Sequence, residues 1–373
     1  MITKKIQMVD LYAQYKLIKK EINGAIESVI KDSAFIGGFY VEKFEKEMAE
    51  YCGTKYALGL NSGTDALYLA LWALGIKEGD EVITTPFTFF ATAEVITRLG
   101  AKPVFVDINP NTFNIDENLI EEKITKKTKA IIPVHLFGLP ANMGKILEIA
   151  KKYKLFVVED ACQAIGAEYD GKKVGCLGDV GCFSFFPSKN LNGYGDGGMV
   201  VTNNEKLTEK IKMLRNHGSK IKYFNDEIGV SSRLDGIQAA ILSVKLKYLN
   251  EWNKNRQNIA DIYNKLLGDI DSIEVPKYNL DKKTKHVYHQ YTLKIKNGKR
   301  DELKKYLEEN NVSSMIYYPL PLHFLKAFGY LGIKKGSLPV AEKICGEVLS
   351  LPIYAELNNK KIIEIAKLIK KYV

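Results

Sequence analysis

Lys189 stands in the stretch VGCFSFFPSKNLNGYGDGGMVVTNN, residues 180–204, where the residue types suit covalent chemistry by an amine. An apolar run surrounds Ser184, a polar loop flanked by proline and glycine carries Lys189, and Met199-Val200-Val201 reads as a strand. A lysine amine of lowered pKa acts as nucleophile and base, and it condenses with carbonyl groups. Gly193, Gly195, Gly197 and Gly198 let the backbone take positive φ or approach a ligand closely. They precede a strand, whereas the glycines of a dinucleotide-binding turn follow one and open a helix, which disfavours such a site. Taken singly, Lys189 is an ordinary surface lysine, and its setting is what marks it.

Three further features could serve one cofactor. Asp160 ends the apolar run FVVED, with Gln163 three residues on in EDACQAIGA. A carboxylate at the carboxyl end of a parallel strand faces the ligand cleft, and a pyridoxal ring needs an anion beside its nitrogen to stay protonated. A helix N-cap for ACQAIGA is the alternative role for Asp160. Asn61-Ser62-Gly63-Thr64-Asp65 is a turn that opens an apolar helix. The free N–H groups and positive dipole end there suit a phosphate, with Gly63 permitting approach and Thr64 adding a hydroxyl. Phe87-Thr88-Phe89-Phe90 follows a strand and could stack an aromatic on a ring, although core packing is the commoner fate of a Phe.

The elements that would position these residues alternate. Helices are expected at 15–31 and 43–53, and YALGL is a strand leading into the 61–65 turn and its helix. EVITTP, KPVFVDI, KAIIPVHLFG and KLFVVED read as strands; TFFATAEVITRLG, ENLIEEKIT and NMGKILEIAKKY read as helices. This rhythm predicts an α/β fold, a mostly parallel sheet flanked by helices on both faces. After about residue 245 the pattern changes to a long helix, KLKYLNEWNKNRQNIADIYNKLLG, strand patterns such as HVYHQYTLKI, and the helices DELKKYLEEN and NKKIIEIAKLIKKYV. The expectation is a large α/β domain at 1–245 and a smaller C-terminal α+β domain at 246–373.

Composition narrows the class. A 46% share of apolar residues and 26% charged residues describe an ordinary globular chain. No stretch reaches the ~20 apolar residues of a membrane span, and the N-terminus lacks the apolar core of a signal peptide, so a cytoplasmic protein is expected. The five cysteines, at 52, 162, 176, 182 and 345, lack metal-ligand spacing and read as free, mostly buried thiols. The net charge of +10 comes from lysines spread along helix faces, Lys245 and Lys247 among them, which read as solvated surface. With no basic arm interleaved with aromatics, nucleic acid is not an expected partner, although the excess charge could draw an anionic small substrate.

Together and in this order, these motifs resemble the DegT/DnrJ/StrS sugar aminotransferases of the fold-type I pyridoxal-phosphate enzymes. The resemblance runs nearly end to end, through FIGGFYVEKFEKEMAEYCG, NSGTDALYLAL, GDEVITTPFTFFATAEVI, EDACQAIGA, FSFFPSKNLNGYGDGG, RNHG, SRLDGIQAAIL and YYPLPLH. It implies that Lys189 holds pyridoxal 5'-phosphate as a Schiff base and that Asp160 pairs with the ring nitrogen. It further implies that Gln163 contacts the ring hydroxyl, that Ser184, Gly63 and Thr64 bind the phosphate, and that Phe89 stacks on the ring. Relatives often have Asn where Ser231 stands, and that Asn reaches the phosphate from the partner of a homodimer; Ser231 puts this contact in question. A dehydratase branch carries histidine in place of the lysine, so Lys189 favours amino transfer from L-glutamate to a nucleotide-linked keto sugar. The motif Tyr317-Tyr318-Pro319-Leu320-Pro321-Leu322-His323 resembles relatives that aminate C-3 of a hexose. A dTDP-3-oxo-6-deoxyhexose is the expected substrate, gluco slightly before galacto, with a UDP-linked uronic sugar or a 4-keto sugar as competitor and a non-catalytic regulator as the rival class. Lys220, Tyr223, Tyr318 and His323 are the expected substrate contacts.

Overall fold

Successive residues along the short apolar strands feed opposite faces of one sheet. Val157 and Val158, Cys182 and Phe183, Met199 and Val200 each split between two separate core clusters, as strand geometry requires of a sheet covered on both sides. The computed structural model describes residue 2 and residues 4–276 and 283–372.

The chain begins with α1 (Leu11–Asp32), capped by the Asp10 carboxylate, and α2 (Phe39–Cys52). Next come β1 (Tyr56–Leu60), α3 (Gly63–Ala73), β2 (Glu81–Thr84), α4 (Ala91–Arg98), β3 (Lys102–Phe105), β4 (Thr128–Ile131), α5 (Met143–Tyr153) and β5 (Phe156–Asp160). A small hairpin, β6 (Glu168–Tyr169) and β7 (Lys172–Lys173), leads to β8 (Val180–Ser184), β9 (Gly198–Thr202) and α6 (Glu205–Leu214). The central sheet has seven strands in the order β1-β9-β8-β5-β4-β2-β3. All of its pairings are parallel except those of β9, which runs antiparallel to both neighbours. The carboxyl ends of the parallel strands therefore share one edge, and the turns there carry Asn61, Asp160 and Ser184.

The later part begins with an outlying hairpin, β10 (Ser219–Ile221) and β11 (Phe224–Asn225), followed by α7 (Gly236–Leu246) and α8 (Leu249–Leu267). Next are β12 (Ile273–Glu274), β13 (Thr284–Lys285), β14 (Tyr291–Ile295), α9 (Arg300–Glu309), α10 (Pro339–Ile344), β15 (Val348–Leu351) and α11 (Asn359–Tyr372). α8, β14, β15, α9 and α11 enclose a second core, which also takes in Ile6 from the chain start. β13 pairs with β6 across the two parts.

Three expectations change. ENLIEEKIT forms two single 3-10 turns, Glu117–Leu119 and Glu121–Lys123, because Ile120 dives fully into the core between them. The expected helix from 245 is two helices: α7 starts at Gly236, and the chain turns at Lys247–Tyr248 before α8. Lys245 is not solvated; it is buried on α7, donates to Asn192 Oδ1 and lies 4.1 Å from the Tyr194 ring centre. The last residue of the expected C-terminal helix, Val373, lies outside the described residues. Among the described residues, no helix is long and apolar enough to cross a membrane.

Candidate active site

A cleft of about 410 Å³ opens where the carboxyl ends of the parallel strands meet the 286–290 and 317–318 segments. Gly63, Thr64, Phe89, Asp160, Gln163, Ser184, Lys189 and Tyr318 all line it, although they are scattered through most of the chain. The anion, the amine and the helix terminus picked out by their motifs thus face one space.

Ser62 caps α3, its hydroxyl accepting from Asp65 N at 3.1 Å. The first N–H groups of the helix, those of Gly63 and Thr64, have no acceptor within the helix, and both residues line the cleft. Gly63 is required by space: a Cβ there would lie 2.7 Å from Ser184 Cβ and 2.8 Å from Cys162 Sγ. The glycines after Lys189 serve the same end differently from expectation. None of Gly193, Gly195, Gly197 and Gly198 has positive φ. Gly198 instead lets β9 press on the turn, since a Cβ would fall 2.2 Å from Ser62 backbone atoms.

Asp160 closes β5 and caps no helix. Its Oδ2 accepts from Thr92 Oγ1 at 2.8 Å and its Oδ1 from Cys162 N at 3.2 Å. Because Thr92 spends its proton on the carboxylate, Thr88 Oγ1, 3.0 Å away, must be the donor to Thr92. Behind it, Glu159 is fully buried and accepts from Gly175 N, Leu177 N and Gly178 N, each at 2.7 Å, and from His135 Nε2 at 2.9 Å. His135 Nδ1 accepts from Ala141 N at 3.0 Å, which fixes the ring proton on Nε2. This network anchors the strand end that carries Asp160.

Gln163 Oε1 accepts from Phe137 N at 2.8 Å, so its amide nitrogen must face Tyr318, donating to the hydroxyl at 3.0 Å. The Tyr318 proton is left to point elsewhere, and burial raises the pKa of the phenol, keeping it a donor. Burial lowers the Lys189 amine below the ordinary lysine value, with the charges of Cys162 and Asp160 opposing. Phe89 is 58% exposed, its face open rather than packed in the core.

Four expected contacts do not reach this cleft in their own chain. Ser231 is tied down by Arg233 Nη2 at 2.8 Å. Lys220 lines a separate surface cavity with Arg215 and Lys212, and Tyr223, 84% exposed, projects on the β10–β11 hairpin. His323 is corrected outright: its ring is buried against Phe105, and its Nε2 lies 3.2 Å from Glu342 Oε1. The motifs alone did not single out Thr92, Tyr317, Asp196 and His289, which also border the cleft. Thr92 was within reach, as the hydroxyl three residues after Phe89, in the buried first turn of α4.

The residues fit pyridoxal phosphate. An amine, a carboxylate held by two donors, and a helix N-terminus beside a hydroxyl and an enforced glycine supply a partner for each polar end of the group. The sheet order with its single antiparallel strand and this cleft define a pyridoxal-phosphate-dependent enzyme of the aminotransferase fold. The chain belongs to the DegT/DnrJ/EryC1/StrS aminotransferase family, whose model matches residues 16–370. It is 51% identical to a Geobacillus stearothermophilus protein named a pleiotropic regulatory protein, over 95% of each chain. It is 44% identical to an Acidithiobacillus ferrooxidans UDP-N-acetyl-3-dehydro-alpha-D-glucosamine 3-aminotransferase, over 98% of this chain and 97% of that one. The fold superposes on DesV of S. venezuelae, solved with a ketimine intermediate, with TM-score 0.96 and 39% identity over 99% of each chain.

Proposed function

We propose that the protein transfers the amino group of L-glutamate to C-3 of a nucleotide-linked 3-keto hexose. The observation that carries this reading is Lys189 facing Asp160 in one cleft whose other end is the α3 N-terminus. Pyridoxal phosphate, when bound, supplies an electron sink for cleavage of the bond to the α-proton. Lys189 would hold the group covalently and, once displaced by an incoming amine, take up and return that proton at Nζ; its lowered pKa suits the role. Asp160 would keep the ring nitrogen protonated, Gln163 would hold the ring hydroxyl, and Phe89 would cover the ring face. Ser184 and the N–H groups of Gly63 and Thr64 would take the phosphate. Tyr317 and Tyr318, at the cleft wall, are placed to read the sugar.

Support for position C-3 comes from the YYPLPLH motif and from the name of the Acidithiobacillus relative. Among sugars, dTDP-3-oxo-6-deoxy-glucose is the first candidate; the galacto epimer, UDP-linked 3-keto sugars and 4-keto sugars are the alternatives. The protein is read as a homodimer in which Ser231, Lys220 and Tyr223 serve the partner's cleft. A regulator without catalysis is favoured by the name of the Geobacillus relative, and the set of cofactor partners in the cleft runs against it. The test is incubation with glutamate and a panel of dTDP- and UDP-linked 3-keto and 4-keto sugars, with the product read by mass and its amino position by NMR. Aminated product is expected with the wild type and none with Lys189→Ala. Turnover by that variant, or no product from any 3-keto sugar, sinks the proposal.

A further inference from the structure

Gln163 stands in the turn after β5, and its side-chain amide is held at both ends. Phe137 N donates to Gln163 Oε1 at 2.8 Å. An uncommon backbone aims that N–H: Phe137 has φ 57°, in the left-handed region that an aromatic residue rarely adopts. The conformation persists because the turn around it is tied down on several sides. Leu136 N donates to Asn114 Oδ1 at 2.9 Å, Val287 N to Gly138 O at 3.0 Å and Gln290 N to Phe137 O at 3.3 Å.

A backbone N–H can only donate, so the Gln163 oxygen must face Phe137 and the amide nitrogen must face the other way. There Nε2 donates to the Tyr318 hydroxyl at 3.0 Å. The Tyr318 ring is braced in turn by the fully buried Phe87, edge to face with ring centres 5.9 Å apart. An amide nitrogen carries two hydrogens, and this contact uses one. The second has no acceptor among the described residues, and Gln163 lines the cleft. The side chain therefore offers the cleft a donor and withholds its acceptor.

We infer that Tyr318 is a positioning residue: with the Phe137 N–H it locks Gln163 as a hydrogen-bond donor to the ring oxygen of the cofactor, which favours the deprotonated form of that oxygen. An oxyanion accepts such a bond more strongly than a hydroxyl does, because hydrogen bonds to charged groups are the stronger ones. The Tyr318 hydroxyl accepts from Gln163 and keeps its own proton to give, so this role does not compete with reading the sugar. The other ionisable groups on this cleft are Asp160, Cys162, Lys189, Asp196, His289 and Tyr317.

The inference rests on Lys189 and Gln163 meeting the cofactor as proposed, and the test separates the two. In pyridoxal phosphate the ring oxygen sits next to the carbon that a lysine binds, and it shares the proton of the Lys189-linked nitrogen. A donor on that oxygen draws its charge away from the proton, so the nitrogen releases it at lower pH. The visible absorption of the loaded protein is titrated with pH. Gln163→Met, a neutral side chain of similar length with nothing to donate, should raise the midpoint by about one unit. Tyr318→Phe, which keeps the ring and frees the amide to swing, should raise it by about half as much. A merely structural role would lower Tm in both variants and move the midpoint in neither. The wild type gives a second readout that does not depend on how the variants fold. With ¹⁵N-glutamine labelling, one Gln163 amide proton should move downfield when the protein is loaded with pyridoxal phosphate. It should stay in place with 3-deoxypyridoxal phosphate, which lacks the ring oxygen. No visible band in the wild type overturns the cofactor reading and this inference with it. A normal band with an unmoved midpoint in either variant, or a Gln163 amide indifferent to the ring oxygen, overturns this inference alone.

Discussion

The Asp160 carboxylate is worth most to the enzyme as a fixed charge, and Thr92 does part of the fixing. Its hydroxyl donates to Oδ2, and Thr88 donates in turn to Thr92. Thr92→Val removes the donor to a buried charged acceptor, a loss of about 1.5–3 kcal/mol. Thr88→Val removes a bond between neutral hydroxyls, about 1 kcal/mol. Urea unfolding should rank the two in that order, and equal losses would contradict a chain of hydroxyls running from Thr88 through Thr92 to Asp160. Lys245 acts in the opposite sense. Burial lowers its pKa to about 7, with Glu356 opposing, while the unfolded lysine keeps an ordinary value. Between those values the unfolded chain binds more protons than the folded one, so the Lys245 contribution to stability rises as pH goes from 7 toward 10 and is least favourable below 7. The rise amounts to a few kcal/mol. Thermal melts at pH 7, 8 and 9 should show a flatter pH slope in Lys245→Met than in the wild type. An unchanged slope would mean that the lysine is solvated when folded.

Elements explain why one half of the site could be read from sequence and the other could not. Asp160, Ser184 and the 61–65 turn sit where a strand meets its turn, and the alternation of strand and helix puts those ends on one edge. The glycines after Lys189 were legible as close-approach positions, but what they approach is protein rather than a ligand: Gly198 meets the Ser62 turn, Gly193 and Gly195 the Gln238 side chain, and Gly197 the side chains of Leu234 and Phe185. HVYHQYTLKI reads as one strand, yet only Tyr291–Ile295 pairs in a sheet. Tyr288 has positive φ, and the Val287 and Gln290 N–H groups on either side are taken by the 137–138 turn, more than a hundred residues upstream. No local pattern encodes that partner, so His289 was hidden in an apparent strand. His323 misled for the same reason: a histidine in a familiar motif proved to be a packing residue held by Glu342. The clasp that seats this region is Asp107, whose two carboxylate oxygens accept from Val340 N at 2.8 Å and Ala341 N at 2.9 Å. It caps α10 from a distance of more than two hundred residues, and no side chain of α10's own N-cap does so. Asp107→Ala should cost about 1–2 kcal/mol and speed amide exchange at 338–345 while α3 and β5 stay protected. Uniform exchange across the chain would count against a local clasp.

At the scale of the whole molecule the unexplained surface is the β10–β11 hairpin and the loop between it and α7. Tyr223, Phe224 and Ile228 project with 84%, 71% and 83% of their surface exposed, a costly display unless something covers them. The same segment, residues 215–233, holds Lys220 and Ser231, which do not reach the cleft of their own chain. A homodimer resolves both facts at once if each hairpin lies over the partner's cleft. The arrangement makes a prediction that folding defects cannot mimic. One inactive variant carries Lys189→Ala with an intact hairpin; the other carries an intact Lys189 with Tyr223→Asp and Ser231→Ala. Unfolded together and refolded, they should form mixed dimers in half of the population, each with one site that combines the good lysine with the good hairpin. About a quarter of the wild-type activity should return, because an isologous two-fold interface gives each site one arm from each chain. Activity that stays at the level of the separate variants would place lysine and hairpin in the same chain's site, and a single-chain mass for the wild type by light scattering would remove the dimer altogether.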